Sequence, residues 1–171
     1  AVPRKYDVES TKIDLLEPLK KLDLDVYLGS DKVKELLIKL DTIKNLHSNL
    51  KFKRNYCKFT TSLKKGKIPI EYINLVDTNY LRLKSRKSKK SISFPLFFNS
   101  DFAEFLGYLV GDGNVCKRCL QISNEDEEII KRVVELSKNL FGIVPSLRRD
   151  FRTAKMYKVT IASETLVYIL S

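Results

Sequence analysis

The fold is decided by the stretch Phe105-Leu-Gly-Tyr-Leu-Val-Gly-Asp-Gly113, which combines apolar side chains with regularly spaced glycines. Leu106 and Val110 are four residues apart, as are Gly107 and Gly111, and residues at this spacing share one face of an α-helix. Each glycine costs a helix about 1 kcal/mol relative to alanine. Two glycines on one face are typical of a helix that another backbone approaches closely. We therefore predict a helix whose packing interface contains Gly107 and Gly111.

Asp112 is predicted to end this helix, and Gly113 to reverse the chain in the left-handed conformation that commonly follows a helix. A carboxylate is electrostatically unfavourable at this end, because the C-terminus of the helix dipole is negative. Because Asp112 lies beside a predicted glycine interface, its position indicates that it is a metal ligand at a junction between two helices. A core helix that ends in an ordinary Asp-Gly turn is the alternative.

The rest of the C-terminal half alternates between helical and strand patterns. A serine N-cap begins the last predicted helix, and a glycine ends the one before it. The resulting order is helix, two strands, helix, two strands, helix. After the glycine helix, the segments that define it are a short polar segment that follows Asp112, and then 119–123, 125–140, 146–152, 156–161 and 163–170.

This order resembles the LAGLIDADG (dodecapeptide) homing endonucleases, particularly the archaeal intein- and intron-encoded ones. The resemblance covers about residues 92–171 and implies an α+β fold with an αββαββα half-domain. Besides Phe105–Gly113, the motifs that carry it are Phe94-Pro95, Asp101–Phe105, Ile122–Ile130, Leu140–Gly142 and Tyr157–Ser163.

In that family, the glycine-bearing helices of two motifs pack together, and each supplies one carboxylate that binds Mg²⁺ between two scissile phosphates. The resemblance therefore implies that Asp112 holds Mg²⁺ or another divalent cation, with the peptide of Gly113 beside it. Oxygen ligands of this kind suit Mg²⁺, and paired ions clamp the attacking and leaving oxygens. Asn124 is expected to help place water. Glu125 follows it at a position where some relatives have a lysine near the scissile phosphate. A basic residue for that role is therefore missing or comes from elsewhere.

The sequence contains one such motif, and residues 1–90 contain no second copy. The family pattern implies a partner motif, which would come from a symmetry mate in a homodimer or from a missing C-terminal half of a longer chain. A fragment of this kind would bind DNA without necessarily cutting it.

Charge is distributed unevenly along the 171 residues. Residues 51–100 contain thirteen basic and two acidic side chains, so this block accounts for the whole net charge of +11. A basic block of this size indicates a polyanionic partner, here double-stranded DNA.

The amino-acid composition argues against several other classes of protein. A hydrophobic content of 43% argues against disorder. No apolar run is long enough to span a membrane, so a membrane is not expected as a partner. Cys116 and Cys119 form a lone CxxC, so zinc is not expected and packed strand cysteines are predicted. With no signal peptide, a cytoplasmic protein is expected. The Lys and Ile usage is typical of a prokaryote, and the resemblance implies an archaeal protein.

Four segments are predicted. Residues 1–30 have no assigned role, although a short helix and a strand are indicated within them. Residues 31–81 form a mostly helical, helix-turn-helix-like DNA-recognition domain, with helices at 31–40, 42–48, 54–65 and 68–76. Residues 82–95 form a flexible basic linker, and residues 96–171 form the endonuclease half-domain.

Three groups of side chains are predicted to contact DNA. They lie on the third helix of the recognition domain, along the basic linker, and on the polar face of the half-domain strands. The first group is Arg54, Asn55, Lys58, Lys64 and Lys65, the second is Arg82, Lys84, Arg86, Lys87, Lys89 and Lys90, and the third is Lys117, Gln121, Arg148, Arg149, Arg152, Lys155 and Lys158.

The sequence therefore predicts a site-specific DNA endonuclease of homing type that hydrolyses phosphodiesters with Mg²⁺. Two alternatives use the same scaffold. A non-catalytic DNA-binding regulator would retain Asp112 only as a helix stop, and an RNA-splicing maturase would prefer structured RNA to duplex DNA.

Overall fold

The computed structural model describes residues 14–29, 31–38, 59–68, 70, 73, 78–150 and 156–171. Helical residues at 31–38 and 59–64 belong to α2 and α3. The other helices are α1 (Leu16–Lys20), α4 (Ser100–Asp112), α5 (Glu127–Phe141) and α6 (Glu164–Leu170). The strands are β1 (Leu24–Tyr27), β2 (Lys67–Ile68), β3 (Tyr80–Ser85), β4 (Ile92–Pro95), β5 (Gly113–Val115), β6 (Cys119–Asn124), β7 (Ser146–Asp150) and β8 (Met156–Ala162).

The C-terminal half of the chain has the αββαββα order that the sequence predicts. Its four antiparallel strands form a sheet in the order β5-β6-β8-β7. Leu120, Ile122, Val159 and Ile161 alternate with polar residues and are fully buried on the face that packs against the helices. The predicted α+β class and half-domain are thereby confirmed.

Local sequence signals set the ends of the half-domain helices. Asn99 caps α4, because its side chain accepts a hydrogen bond from the backbone N–H of Phe102 at 2.8 Å. Asp126 and Ser163 cap α5 and α6 in the same way. Gly142 ends α5 with φ of 65°, the left-handed conformation that glycine adopts without strain.

A second antiparallel sheet, in the order β2-β1-β3-β4, lies in the N-terminal half. The prediction of a flexible basic linker at 82–95 is wrong, since β3 and β4 occupy most of this segment. Leu81 and Leu83 are buried on β3 while Arg82 between them is exposed. Apolar and basic residues alternate along β3, so the strand buries its apolar face and exposes its basic one.

In the described part of residues 31–81, α-helical structure is confirmed at 31–38 and 59–64, and Ile70 and Ile73 are in 3-10 helical conformation. The predicted helix beginning at Ile68 is wrong there, because Lys67–Ile68 is strand β2 and pairs with Val26 and Tyr27. The predicted helix at 42–48 and its following turn lie outside the described residues. The mostly helical character of this region is therefore not confirmed. The short helix and strand indicated within residues 1–30 are confirmed as α1 and β1.

One continuous core joins the two sheets through the helices between them. Phe94 of β4 packs edge-to-face against Phe102 of α4 at 5.4 Å between ring centroids, and Phe105 contacts Phe141 of α5 at 4.9 Å. A buried hydrogen bond from the Ser85 N–H to Thr165 Oγ1 (3.1 Å) links β3 to α6. This packing fixes the position of α4 relative to the sheet. Within the described residues, no helix is long and apolar enough to cross a membrane.

Candidate active site and nucleic-acid interface

The two predicted catalytic residues lie in direct contact. Asp112 is the exposed last residue of α4, and Asn124 is the half-buried last residue of β6. Asn124 Nδ2 donates a 2.6 Å hydrogen bond to Asp112 Oδ2, and Asn124 Oδ1 accepts one from the Asp126 N–H at 2.7 Å. The amide is therefore held at both ends, and it orients the carboxylate at the helix terminus.

Gly113 does not reverse the chain, contrary to the prediction. Its backbone is extended (φ −96°, ψ 158°), and α4 passes directly into β5 at this residue. Glycine is required by close packing instead. A Cβ at this position would overlap the Leu109 carbonyl oxygen and lie 2.7 Å from Leu109 Cδ1. The direct passage from helix to strand fixes the place of Asp112 at the edge of the sheet.

None of the described residues covers the glycine face of α4. Gly107 and Gly111 are exposed, and a Cβ added to either would meet no atom within 4 Å. Val110 beside them is 86% exposed, which is unusual for a valine in a helix. The predicted close packing of this face is not made by the described residues of one chain, so it stays a prediction about a partner.

A charged network on the side of α4 holds this helix to α5. Arg132 of α5 makes hydrogen bonds of 2.8–3.1 Å to both carboxylate oxygens of Glu104, and it also contacts Asp101 and Glu135 at 2.9 Å each. Tyr108 donates a 3.0 Å hydrogen bond to Glu104. The hydrogen bonds from Arg132, with a smaller contribution from Tyr108, lower the pKa of Glu104, while burial opposes them. Sequence reasoning missed this network, because Arg132 is distant from Glu104 in the chain.

We expect Glu104→Gln to lower the thermal midpoint by several degrees at neutral pH, because the substitution removes the charged acceptor of Arg132. Since the pKa of Glu104 is lowered on folding, its stabilising contribution is present above the unfolded pKa and is lost as pH falls through the folded pKa. The difference between variant and wild type should therefore shrink below about pH 4. Thermal melts across pH check this, with the exposed Glu125→Gln as control. A deficit that is equal at all pH values would contradict the role of the charge.

The surroundings of Asp112 suit a hard cation. Glu125, Asp126, Glu127 and Glu128 follow Asn124 directly, so the site is acidic while the chain as a whole is basic. Asp112 offers one exposed carboxylate, and among the described residues no group of three or more His, Cys, Asp or Glu could hold a metal ion by itself. One carboxylate completed by phosphate and water is a typical Mg²⁺ arrangement, so the donor chemistry fits that ion.

The outer face of the half-domain sheet is polar and basic. In the strand register, Arg148 pairs with Lys158, Lys158 with Ser123, and Gln121 with Thr160. Directly paired residues share a face, and this face is opposite to the one that buries Val159 and Ile161. Lys158 and Thr160 therefore lie together on the outer face of the sheet.

Arg149 does not belong to that face. It pairs with Tyr157 on the opposite side of the sheet, and its guanidinium lies over the Tyr157 ring at 5.6 Å from the centroid. The sequence did not separate Arg148 from Arg149, because Leu147 is the one apolar residue of β7 and too weak a signal to set its inner face. Arg152 and Lys155 lie outside the described residues.

The remaining predicted DNA contacts are dispersed. Lys64 and Lys65 are exposed at the end of α3, Arg82 is exposed on β3, and Lys84 is half-buried. Of the exposed group after β3, Arg86 forms a 2.9 Å ion pair with Asp23, and Arg86 and Lys87 line one cleft with Lys117. Two further predicted DNA contacts, Lys89 and Lys90, are exposed in the connection between β3 and β4. The remaining ones, Arg54, Asn55 and Lys58, lie outside the described residues.

Cys116 and Cys119 flank the turn between β5 and β6. The prediction of packed strand cysteines is wrong, because both are only half-buried. The strand register places them on the outer face with Gln121, away from the helices.

The αββαββα order is built from residues 100–170, and the family model described as a LAGLIDADG-like domain matches residues 99–169. Over these residues the chain is therefore similar to a LAGLIDADG-like domain. Over 91 residues, 53% of the chain, it is 36% identical to an A-type ATP synthase subunit from Pyrococcus abyssi, and the match covers 9% of that protein. Over 64 residues, 37% of the chain, it is 38% identical to the corresponding protein from Pyrococcus horikoshii, covering 6%. The chain thus matches less than a tenth of the length of each of these relatives.

Proposed function

We propose that this protein is a site-specific double-stranded DNA endonuclease that hydrolyses phosphodiesters with Mg²⁺ or another divalent cation. The observation that carries the proposal is Asp112, an exposed carboxylate at the end of an open glycine-bearing helix, held by Asn124 at 2.6 Å. The decisive experiment is removal of the Asp112 charge, which should stop metal-dependent cleavage and leave duplex binding nearly intact.

Each residue of the site has a separate role in this proposal. Asp112 holds the cation through its carboxylate, with the peptide of Gly113 beside it, and Asn124 orients that carboxylate and helps to place water. The acidic residues Glu125 to Glu128, before and in the first turn of α5, disfavour a phosphate that approaches without a cation. The bound ion would supply charge neutralisation at the scissile phosphate and activation of water.

A complete site requires a second carboxylate from a second motif. The open face formed by Gly107, Val110 and Gly111 suits a partner helix of the same kind, because small residues allow backbones to approach closely. We propose that this helix comes from a second copy of the chain or from another LAGLIDADG motif in a longer protein. Either source would bring two residues equivalent to Asp112 together.

The relatives support an origin in a mobile element. Their names specify part of an ATP synthase, whose activity does not involve DNA cleavage, and the likeness is confined to less than a tenth of their length. A short nuclease-like segment within an otherwise unrelated enzyme is typical of an inserted element. We propose an intein or intron origin and an archaeal cytoplasmic setting.

The outer face of the half-domain sheet is proposed to bind the duplex, with further contacts from the recognition region at 31–81. Arg148 and Arg149 provide a matched pair, because neighbouring arginines lie on opposite faces. We expect Arg148→Ala to weaken binding to duplex DNA and to reduce the slope of log affinity against log salt by about one. Arg149→Ala should change both quantities much less. Fluorescence anisotropy over a salt series measures this, and equal effects of the two substitutions would contradict the proposed face.

A non-catalytic DNA-binding regulator is the second candidate. Glu125 favours it, since this exposed acidic residue stands where some family members have a basic helper. The regulator would bind the same duplex with or without the Asp112 carboxylate and would leave it uncut. Preference for structured RNA over duplex DNA would instead indicate a maturase.

A further inference from the structure

We propose that Cys116 and Cys119 form a dithiol site that closes reversibly to an intramolecular disulfide at the tip of the β5–β6 hairpin. This site does not include Asp112, and its thiol chemistry does not require the proposed nuclease activity.

The strand register brings the two cysteines opposite each other. Val115 pairs with Leu120, so Cys116 and Cys119 are the next pair toward the turn, and the Cys116 N–H donates a 2.8 Å hydrogen bond to the Cys119 carbonyl. Hydrogen-bonded pairs in antiparallel strands have Cα atoms about 5.5 Å apart. This separation lies within the range that disulfides span.

The two thiols also interact with each other. Burial and a hydrogen bond to the Cys116 thiol raise the pKa of Cys119, while Gln121 and Lys158 act in the opposite direction. Both thiols remain half-buried rather than enclosed in the core, so small reagents can reach them.

The sulfurs take part in the polar surface of the sheet. Asn114 Nδ2 lies 3.7 Å from Cys116 Sγ, and Gln121 Nε2 lies 3.8 Å from Cys119 Sγ. Lys117 and Arg118 form the turn between the two cysteines. Disulfide formation would therefore close a small ring around two cations and change the acceptors of two amides on the face proposed for DNA.

The reaction is ordinary thiol–disulfide exchange with a low-molecular-weight disulfide. One thiolate of the pair attacks a sulfur of oxidised glutathione, forms a mixed disulfide and releases one glutathione thiolate. The second cysteine, after losing its proton to solvent, attacks the protein-bound sulfur of that mixed disulfide. The second glutathione thiolate leaves, so the protein dithiol is oxidised and glutathione disulfide is reduced to two thiols.

The test uses the full chain in a Cys57→Ser background, equilibrated with reduced and oxidised glutathione and then alkylated. Trypsin cuts at Lys117 and Arg118, so peptides 91–117 and 119–131 separate unless a disulfide joins them. We expect the joined species by mass spectrometry from the folded chain. We also expect its equilibrium constant to be at least about tenfold larger than that of the same chain in urea, because the hairpin holds the thiols together.

Cys116→Ser and Cys119→Ser are the matched controls, and each should give only a mixed disulfide with glutathione. Two results would overturn the proposal. One is glutathione on both peptides without joining, and the other is an equal constant in the folded and urea-unfolded chain. Since no DNA is involved, failure here is distinguishable from failure of the proposed nuclease function.

Discussion

Asp112→Asn is expected to reduce Mg²⁺-dependent cleavage of target DNA by at least about 100-fold, because a neutral amide is a poor ligand for a hard divalent cation. The side chains have nearly the same shape, and the amide oxygen can still accept the hydrogen bond that Asn124 Nδ2 donates at 2.6 Å. The local structure should therefore survive, and affinity for the duplex should stay within a few-fold of wild type.

Glu125→Gln provides the matched control for this substitution. It removes one negative charge from an exposed residue close to Asp112 without touching the proposed ligand. Cleavage is followed on a plasmid that carries the target, and binding is measured in Ca²⁺. Equal losses in both variants would assign the effect to general charge, and undiminished cleavage by Asp112→Asn would contradict the role of Asp112.

The second large effect concerns the open face of α4. Gly107→Leu should prevent the close approach of a partner helix, and overpacking costs about 1–3 kcal/mol per inserted side chain. At a two-fold axis the side chain is inserted twice, so association should weaken at least about 30-fold. In the part of the chain that the structure describes, Gly107 is exposed and a Cβ added there meets no atom within 4 Å, so we expect an isolated chain to accept the new side chain. Its own stability should be unchanged or higher, since leucine favours helix over glycine.

Sedimentation equilibrium at tens of micromolar protein separates these effects, with thermal melts of dilute protein measured alongside. Asn139→Leu, at an exposed position of α5, adds the same apolar surface away from the glycine face. If the wild type remains monomeric throughout, the partner helix is assigned to another motif in a longer protein. A Gly107→Leu variant that associates as strongly as wild type would contradict the pairing face.

The half-domain could be predicted because its signals are local. The glycine spacing of α4, the alternation of β6 and β8, and the stop at Gly142 each arise within one element. The contact between Asp112 and Asn124 followed from the family resemblance, which placed both residues at one site. These features depend little on contacts between residues that are distant in the sequence.

The features that sequence reasoning missed depend on tertiary partners. The β3 segment resembles a linker in sequence because it is rich in basic residues. Leu81 and Leu83 are its two buried leucines, and they stabilise a strand only by packing in a core whose other residues are distant in the chain. The side of Arg149 depends on the β7 register, and the role of Gly113 depends on the nearby carbonyl of Leu109. The Arg132 network joins two helices whose relative position no local pattern specifies.

We propose above all that the LAGLIDADG-like region belongs to a metal-dependent nuclease. The most direct test is to sequence the new double-strand ends that the chain produces in DNA. The full chain is incubated in Mg²⁺ with archaeal genomic DNA, and new double-strand ends are sequenced. We predict ends at one discrete sequence, absent with chelator and absent for Asp112→Asn. A chain that binds duplex DNA but yields no more ends than Asp112→Asn would contradict the claim and favour a DNA-binding regulator.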